Sequence, residues 1–148
     1  MDQAVVNIKA ETDIRNLIKS WEKAASAGNL DAIMSHYSPE VIAYDAIAAL
    51  QFKGAEAYKK HWKMCLEMCS GPMTFTMHDL HIGTADEIAY SHYLNHCGGS
   101  DKDGNQHSSW MRVSSAYRKI NGQWRIVHEH FSAPFDPESG KALFDLKP

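Results

Sequence analysis

The hydrophobic period changes near residue 73, and that change constrains the fold more than any other feature of the chain. Before it, apolar residues recur at helical spacing. Ile14, Leu17, Ile18, Trp21, Ala24 and Ala25 form one stripe, with Lys19, Glu22 and Lys23 outside it. Gly28 stands where a helix-ending glycine belongs. Asn29 is placed to cap a second short helix carrying Leu30, Ile33, Met34 and Tyr37, which Ser38-Pro39 would stop. Val41-Ile42-Ala43-Tyr44-Asp45 reads as a short strand. A third helix follows Gly54, with Tyr58, Trp62, Cys65, Leu66 and Cys69 on one side and Gly71-Pro72 as its stop. From Met73 the period becomes 2, and residues 73–83, 87–97, 107–120 and 123–133 read as four long strands. Residues 84–86 form a turn, and the polar stretch 98–106 joins the middle pair. Asn121-Gly122 is a type I′ hairpin signal, because that turn needs positive φ twice.

Helices first and sheet afterwards argue an α+β fold with the helices on one sheet face. A curved antiparallel sheet closed by three N-terminal helices makes a cone, and a cone leaves a pocket between the concave face and the helices. At 148 residues the chain fits one domain over 1–148, with a core near 10–135 and a polar tail over 136–148, in which Leu143-Phe144 is apolar enough to dock. Fifteen basic against eighteen acidic side chains give a net charge of −3, which removes the electrostatic case for nucleic acid or an anionic membrane as partner. No apolar run reaches membrane-spanning length and the first residues do not read as a secretory signal. Three cysteines without framework spacing fit a reducing cytoplasm.

The segments AGNLDAIMSHYSPEVIAYDA, KGAEAYKKHW and YRKINGQWRIVHEHFSAPF resemble the nuclear transport factor 2-like superfamily, and within it the SnoaL-like and ketosteroid isomerase-like members. The last segment is also similar to the association domain of calcium/calmodulin-dependent kinase II. The resemblance implies a cone of the cystatin-like kind, a homodimer through the convex sheet and a pocket at the cone mouth. It implies no single chemistry, since members include isomerases, cyclases, dehydratases, binding modules and oligomerisation hubs. In the ketosteroid isomerases an aspartate at the end of the first strand is the general base, and Asp45 falls there. Their network tyrosine matches Tyr37. Their oxyanion-hole tyrosine is replaced by Trp21, and their protonated aspartate falls at Ser115. Steroid isomerisation needs donors aimed at the enolate oxygen, so that activity is not expected. His92 lies where the kinase domain carries a pocket arginine.

The residues themselves support a similar set. Asp45 is flanked by apolar residues, a setting in which desolvation raises a carboxyl's pKa toward that of a useful base, although a strand-end aspartate can also simply cap a turn. Strict alternation puts His128 and His130 on one face with Trp124 and Ile126, as a pocket wall. They could instead be structural, bonded to neighbouring backbone. His92 and His96 share a face with Tyr90 and Leu94, whereas His78 and His81 have opposite parity. If Ser115 points inward, alternation turns Arg112 outward, unless a bulge intervenes. Trp21, Tyr58 and Trp62 belong to core stripes that can continue into a pocket lining. A metal built from His128, His130, His92 and Asp45 is not expected, and no nucleotide or serine-hydrolase motif occurs. Val113 and Val127 are expected on the convex face, needing the cover of a second copy. The reading is a cofactor-free pocket protein for a small apolar or amphipathic ligand. As an enzyme it would be an isomerase, cyclase or dehydratase moving a proton next to a carbonyl, with Asp45 as base and His128, His130 or Trp21 as donor. Tyr37, Tyr58, Trp62, His92, Arg112 and Ser115 would complete the lining. The alternative is a non-catalytic ligand-binding or oligomerisation module.

Overall fold

Residues 3–69 and 73–148 are described by the computed structural model, the side chain of Val6 excepted, so the expected stop at Gly71-Pro72 lies outside the described residues. Helix α1 (Gln3–Ser26) buries the stripe from Ile14 to Ala25. It is closed by Gly28, whose φ of 64° lies in the left-handed region that glycine adopts most readily. In α2 (Leu30–Met34) Asn29 caps as expected, its side chain accepting from the Ala32 amide at 3.1 Å. Tyr37 is not in that helix. It opens β1 (Tyr37–Tyr44), because the backbone on either side of Pro39 finds partners in a strand of the sheet. A two-residue strand β2 (Phe52–Lys53), too short to show a period, pairs with β1 ahead of α3 (Ala55–Glu67).

The meander follows as β3 (Thr74–Ala85), β4 (Ile88–Ser100), β5 (Gln106–Ile120) and β6 (Gln123–Ser132). Asn121 and Gly122 both have positive φ, the hairpin geometry their sequence demanded. The strands β4 and β5 run further into the polar connection than expected, since Gly98, Gly99 and Ser100 pair with Ser108, His107 and Gln106. The sheet order is β2-β1-β6-β5-β4-β3. All neighbours are antiparallel except β1 and β6, so a parallel edge joins the expected antiparallel meander and the sheet is mixed. Helix α1 packs on β3 and α3 packs on β1. Trp21 sits at the centre of this core, its ring centroid 5.8 Å from both Trp62 and Phe75 and 6.1 Å from Phe131. Truncating such a residue to alanine costs about 3–5 kcal/mol.

Two bulges decide which side chains face this core. On β6, Ile126 pairs with Tyr117 and His128 with Ala116, which leaves Val127 as an extra residue. The inward series is therefore Trp124, Ile126, Glu129 and Phe131, and His128 and His130 turn to the outer face. On β3, His78 pairs with Leu94 and His81 with His92, so one extra residue lies between them and both histidines face outward. Asp79, with a φ of 55°, marks that bulge. The expectation of opposite parity for His78 and His81 is corrected by it. Val113 is also corrected: it is 1% exposed, inside the core and not on the convex face. The tail folds back through a bridge between Phe135 and Ala142, and the Phe144 carbonyl accepts from the Trp110 amide at 2.8 Å.

Candidate active site

A cavity of about 530 Å³ opens between α3, the loop after β1, the meander and the tail. Its wall is mostly apolar, with Trp62, Leu66, Met73, Phe75, Met111, Phe131 and Phe144 among the lining residues. The size and character are those of a small-molecule site. Asp45, one residue beyond β1, is on that wall, and its Oδ1 accepts from the Ala46 amide at 2.7 Å. Its Oδ2 accepts a short hydrogen bond from His61 Nε2. The His61 side chain is only 2% exposed and that of Asp45 14%, so the carboxylate meets the cavity and the imidazole stands behind it. Phe52 stacks on the imidazole at 4.2 Å, fixing its plane. Such an arrangement can hold a carboxylate in one orientation and let it exchange a proton with a bound molecule.

His61 was missed in the sequence reading. Its signal was present: it lies between Tyr58 and Cys65 at helical spacing, on the stripe already recognised. Cys65 Sγ is 3.6 Å from His61 Nε2, and the thiol is pushed up to about 11 by burial, then by the charge of Asp45. One ligand atom from each of Asp45, His61 and Cys65 lies within 4.8 Å of the others, a mixed oxygen, nitrogen and sulfur set. Three donors would leave further positions of a cation to water or substrate. The direct Asp45–His61 hydrogen bond engages two of the three with each other.

Of the other expected residues, Tyr58 and Trp62 line the cavity. Tyr37 does not. Together with Tyr58 it holds a buried carboxyl that the sequence reading also missed: Tyr37 and Tyr58 donate to Glu129 Oε2 at 2.6 and 2.7 Å, and the Trp21 indole donates to the Tyr37 hydroxyl at 2.9 Å. Glu129 is 1% exposed, and burial pushes its carboxyl up to about 7 despite the two phenols. Trp21 and Ser115 are inward but enclosed in the core beside Glu129, where no ligand-sized space exists. They are core residues and not lining. Alternation does turn Arg112 outward, where it is exposed and donates to Ser132 Oγ at 3.1 Å. His92 stacks on His81 at 4.9 Å on the outer face. His128 donates from Nδ1 to the Ile42 carbonyl at 2.7 Å, and Tyr44 packs edge-on against both His128 and His130. These contacts correct the placement of His92, Arg112, His128 and His130 in the pocket, and they separate the three histidines from Asp45.

The SnoaL-like domain family matches residues 14–136. A nuclear transport factor 2-like protein of unknown function from Pseudomonas putida is 46% identical, over 95% of this chain and 98% of that one, with a TM-score of 0.88. A Xanthomonas campestris protein provisionally assigned as a calcium/calmodulin-dependent protein kinase II association domain superposes with a TM-score of 0.73 at 21% identity, over 84% and 86% of the two chains. A nuclear transport factor 2-like protein from Streptomyces avermitilis, provisionally assigned as a dehydratase, reaches 0.76 at 11% identity, over 85% and 97%. Among proteins of curated function none matches the sequence. Among the described residues no helix is long and apolar enough to cross a membrane. The chain belongs to the SnoaL-like domain family of the nuclear transport factor 2-like superfamily.

Proposed function

We propose that the chain is a small-molecule pocket enzyme that moves a proton next to a carbonyl, with Asp45 as the base and His61 as the residue that positions it. The observation carrying this reading is the Asp45 carboxylate on the wall of an apolar cavity, bonded from behind by a nearly fully buried imidazole. A carboxylate held in one orientation beside an apolar substrate is suited to abstracting a proton, since the geometry is set before the reaction begins. The reaction class is isomerisation or elimination, and the dehydratase name given to the Streptomyces neighbour falls in that class. His128, His130 and Trp21 no longer serve as donors in this reading. The outer sheet face, where Tyr90 is 57% exposed beside a set of stacked rings, supports a homodimer through that surface.

The test is proton exchange. The protein is incubated in deuterated buffer with enolisable aryl ketones such as 2-acetylnaphthalene, and loss of the α-proton signal is followed by NMR. Wild type accelerates exchange, and Asp45→Asn removes at least about a hundredfold of the rate. A variant that exchanges as fast as wild type overturns the assignment of Asp45. Binding without exchange favours the non-catalytic ligand-binding module.

A further inference from the structure

Asn95 lies on the inward series of β4, in line with Ser91 and Tyr93, and contributes to the cavity wall. It is 1% exposed, and its Oδ1 has no hydrogen-bond partner. A buried carboxamide oxygen without a partner is costly, and a ligand group that donates to it would remove that cost. The two acids and the phenol of the cavity are already engaged, and the Ser108 and Ser109 hydroxyls are not fully buried. Asp45 is bonded to His61 and to the Ala46 amide. Asp101 is bonded to His107 at 2.7 Å and to loop amides, which hold its carboxyl down at about 2. The Tyr58 hydroxyl donates to Glu129. Trp62 Nε1 on the same wall is also buried without a partner, but an indole N–H can only donate. Among the described lining residues, Asn95 Oδ1 is thus the buried acceptor that a ligand would complete.

The charge pattern narrows the ligand. Among the described lining residues there is no lysine or arginine, and both carboxylates are paired with histidines. An anionic ligand would be buried beside the Asp45 carboxylate with no lysine or arginine to offset it, which is strongly unfavourable. A cation would find neither acid unpartnered. What remains unmatched is a neutral carboxamide oxygen, an acceptor, and an uncharged hydroxyl group can donate to it.

We infer that the ligand of this cavity is an uncharged molecule with an apolar body and a hydroxyl group, and that Asn95 is the residue that selects for the hydroxyl. This rests on the reading of the cavity as the ligand site, and it names the substrate class of that site. A hydroxylated substrate beside a proton-abstracting carboxylate is also what elimination of water requires.

The experiment compares three probes of one shape at pH 7, using tryptophan fluorescence and calorimetry: 2-naphthol, 2-methoxynaphthalene and 2-naphthoate. Wild type should bind the naphthol about tenfold more tightly than the methoxy compound, the difference expected of one buried hydrogen bond, and the naphthoate most weakly. Asn95→Leu and Asn95→Ala should each abolish the naphthol preference while leaving the methoxy compound's affinity within about twofold of wild type. Thermal melts of both variants show whether each is folded. The wild-type comparison alone can overturn the proposal: equal affinity for naphthol and methoxynaphthalene, or preference for naphthoate, does so. A naphthol preference that survives in a folded Asn95 variant does so as well. Asp45→Asn should keep the preference while losing ketone exchange. In the wild-type protein, ketone exchange without a naphthol preference strikes this inference alone, and a naphthol preference without ketone exchange strikes the catalytic reading alone.

Discussion

The two faces of the same sheet carry opposite chemistry. The concave side is apolar, its acids bonded to partners and Asn95 Oδ1 left without one on the cavity wall. The outer side holds six histidines, His78, His81, His92, His96, His128 and His130, in ring contact with one another or with Tyr44, Tyr90 and Trp110. Titratable rings are therefore abundant away from the cavity, and the groups that carry the proposed chemistry come from elsewhere: Asp45 beyond the end of β1 and His61 on the buried side of α3. Alternation along a strand separates the two chemistries, and a bulge reassigns every residue beyond it.

The comparison breaks most sharply at Asp45. Asp45→Asn should cost at least about a hundredfold in ketone exchange, whereas His130→Ala and His92→Ala, on the other face, should leave the rate unchanged. An outer-face variant that loses activity would show that the faces are not chemically independent. The next effect is on stability, through Glu129. Burial first, opposed by the Tyr37 and Tyr58 hydroxyls, raises its carboxyl from 4.5 to about 7. Between those values the folded protein holds a proton that the unfolded chain has released. The stabilisation is full below about pH 4.5 and is lost as pH rises through 7, amounting to roughly 3 kcal/mol. Glu129→Gln can still accept from both phenols but does not titrate. Its urea-unfolding free energy should therefore gain on wild type between pH 5 and pH 8. Parallel pH profiles for the two proteins would place the Glu129 titration outside that window.

How much of this was legible in the sequence follows from which interactions are local. Helix stripes, the Asn29 cap and the Asn121-Gly122 turn depend on neighbouring residues, and they stand where their spacing put them. The α+β order and the four meander strands were legible for the same reason. Asp45 could be found because strand end and apolar flank are both sequence properties. His61 was legible as part of the α3 stripe, but its pairing with Asp45 was not, because that bond joins a strand end to a helix sixteen residues away. The outward turn of His128 and His130 hinges on Val127, a β-branched residue that fits a regular strand and gives no sign of a bulge. Asp79 is different. An aspartate within a strand pattern tolerates positive φ, and that clue to the β3 bulge was available. Glu129 was hidden by the same count that misplaced its neighbours, for once the histidines were set inward it had to point out.

The outer face can be tested as an assembly surface without touching the cavity. Tyr90 lies across Gly83 so closely that a Cβ built there would fall 2.2 Å from the ring. The glycine thus lets an exposed aromatic ring lie flat on the sheet. Tyr90→Glu should raise the dimer dissociation constant by at least about tenfold in analytical ultracentrifugation, as loss of an aromatic anchor does, with ketone exchange per chain retained. A wild-type protein that sediments as a monomer at micromolar concentration would rule out the dimer.

The smallest effect should come from the tail, which lies between the two regions. Phe144 reaches the cavity wall because its own carbonyl is pinned to the Trp110 amide, on the strand whose Trp110 side chain stacks with His78 and His96 outside. The pinning bond is made by backbone, so Phe144→Ala keeps it and removes only the ring. Losing part of one apolar wall should cost about 1 kcal/mol of binding, a roughly fivefold weaker affinity for 2-methoxynaphthalene. The naphthol preference should be unchanged, since it belongs to Asn95, and so should the dimer, since no outer side chain is altered. Deleting residues 143–148 removes the carbonyl as well and frees the Trp110 amide. If the deletion weakens the dimer while Phe144→Ala does not, the tail serves the two faces separately, with its ring toward the cavity and its backbone toward the sheet end. If Phe144→Ala leaves the affinity for 2-methoxynaphthalene untouched, the ring is only a cover, and the ligand sits deeper, against Trp62 and Phe75.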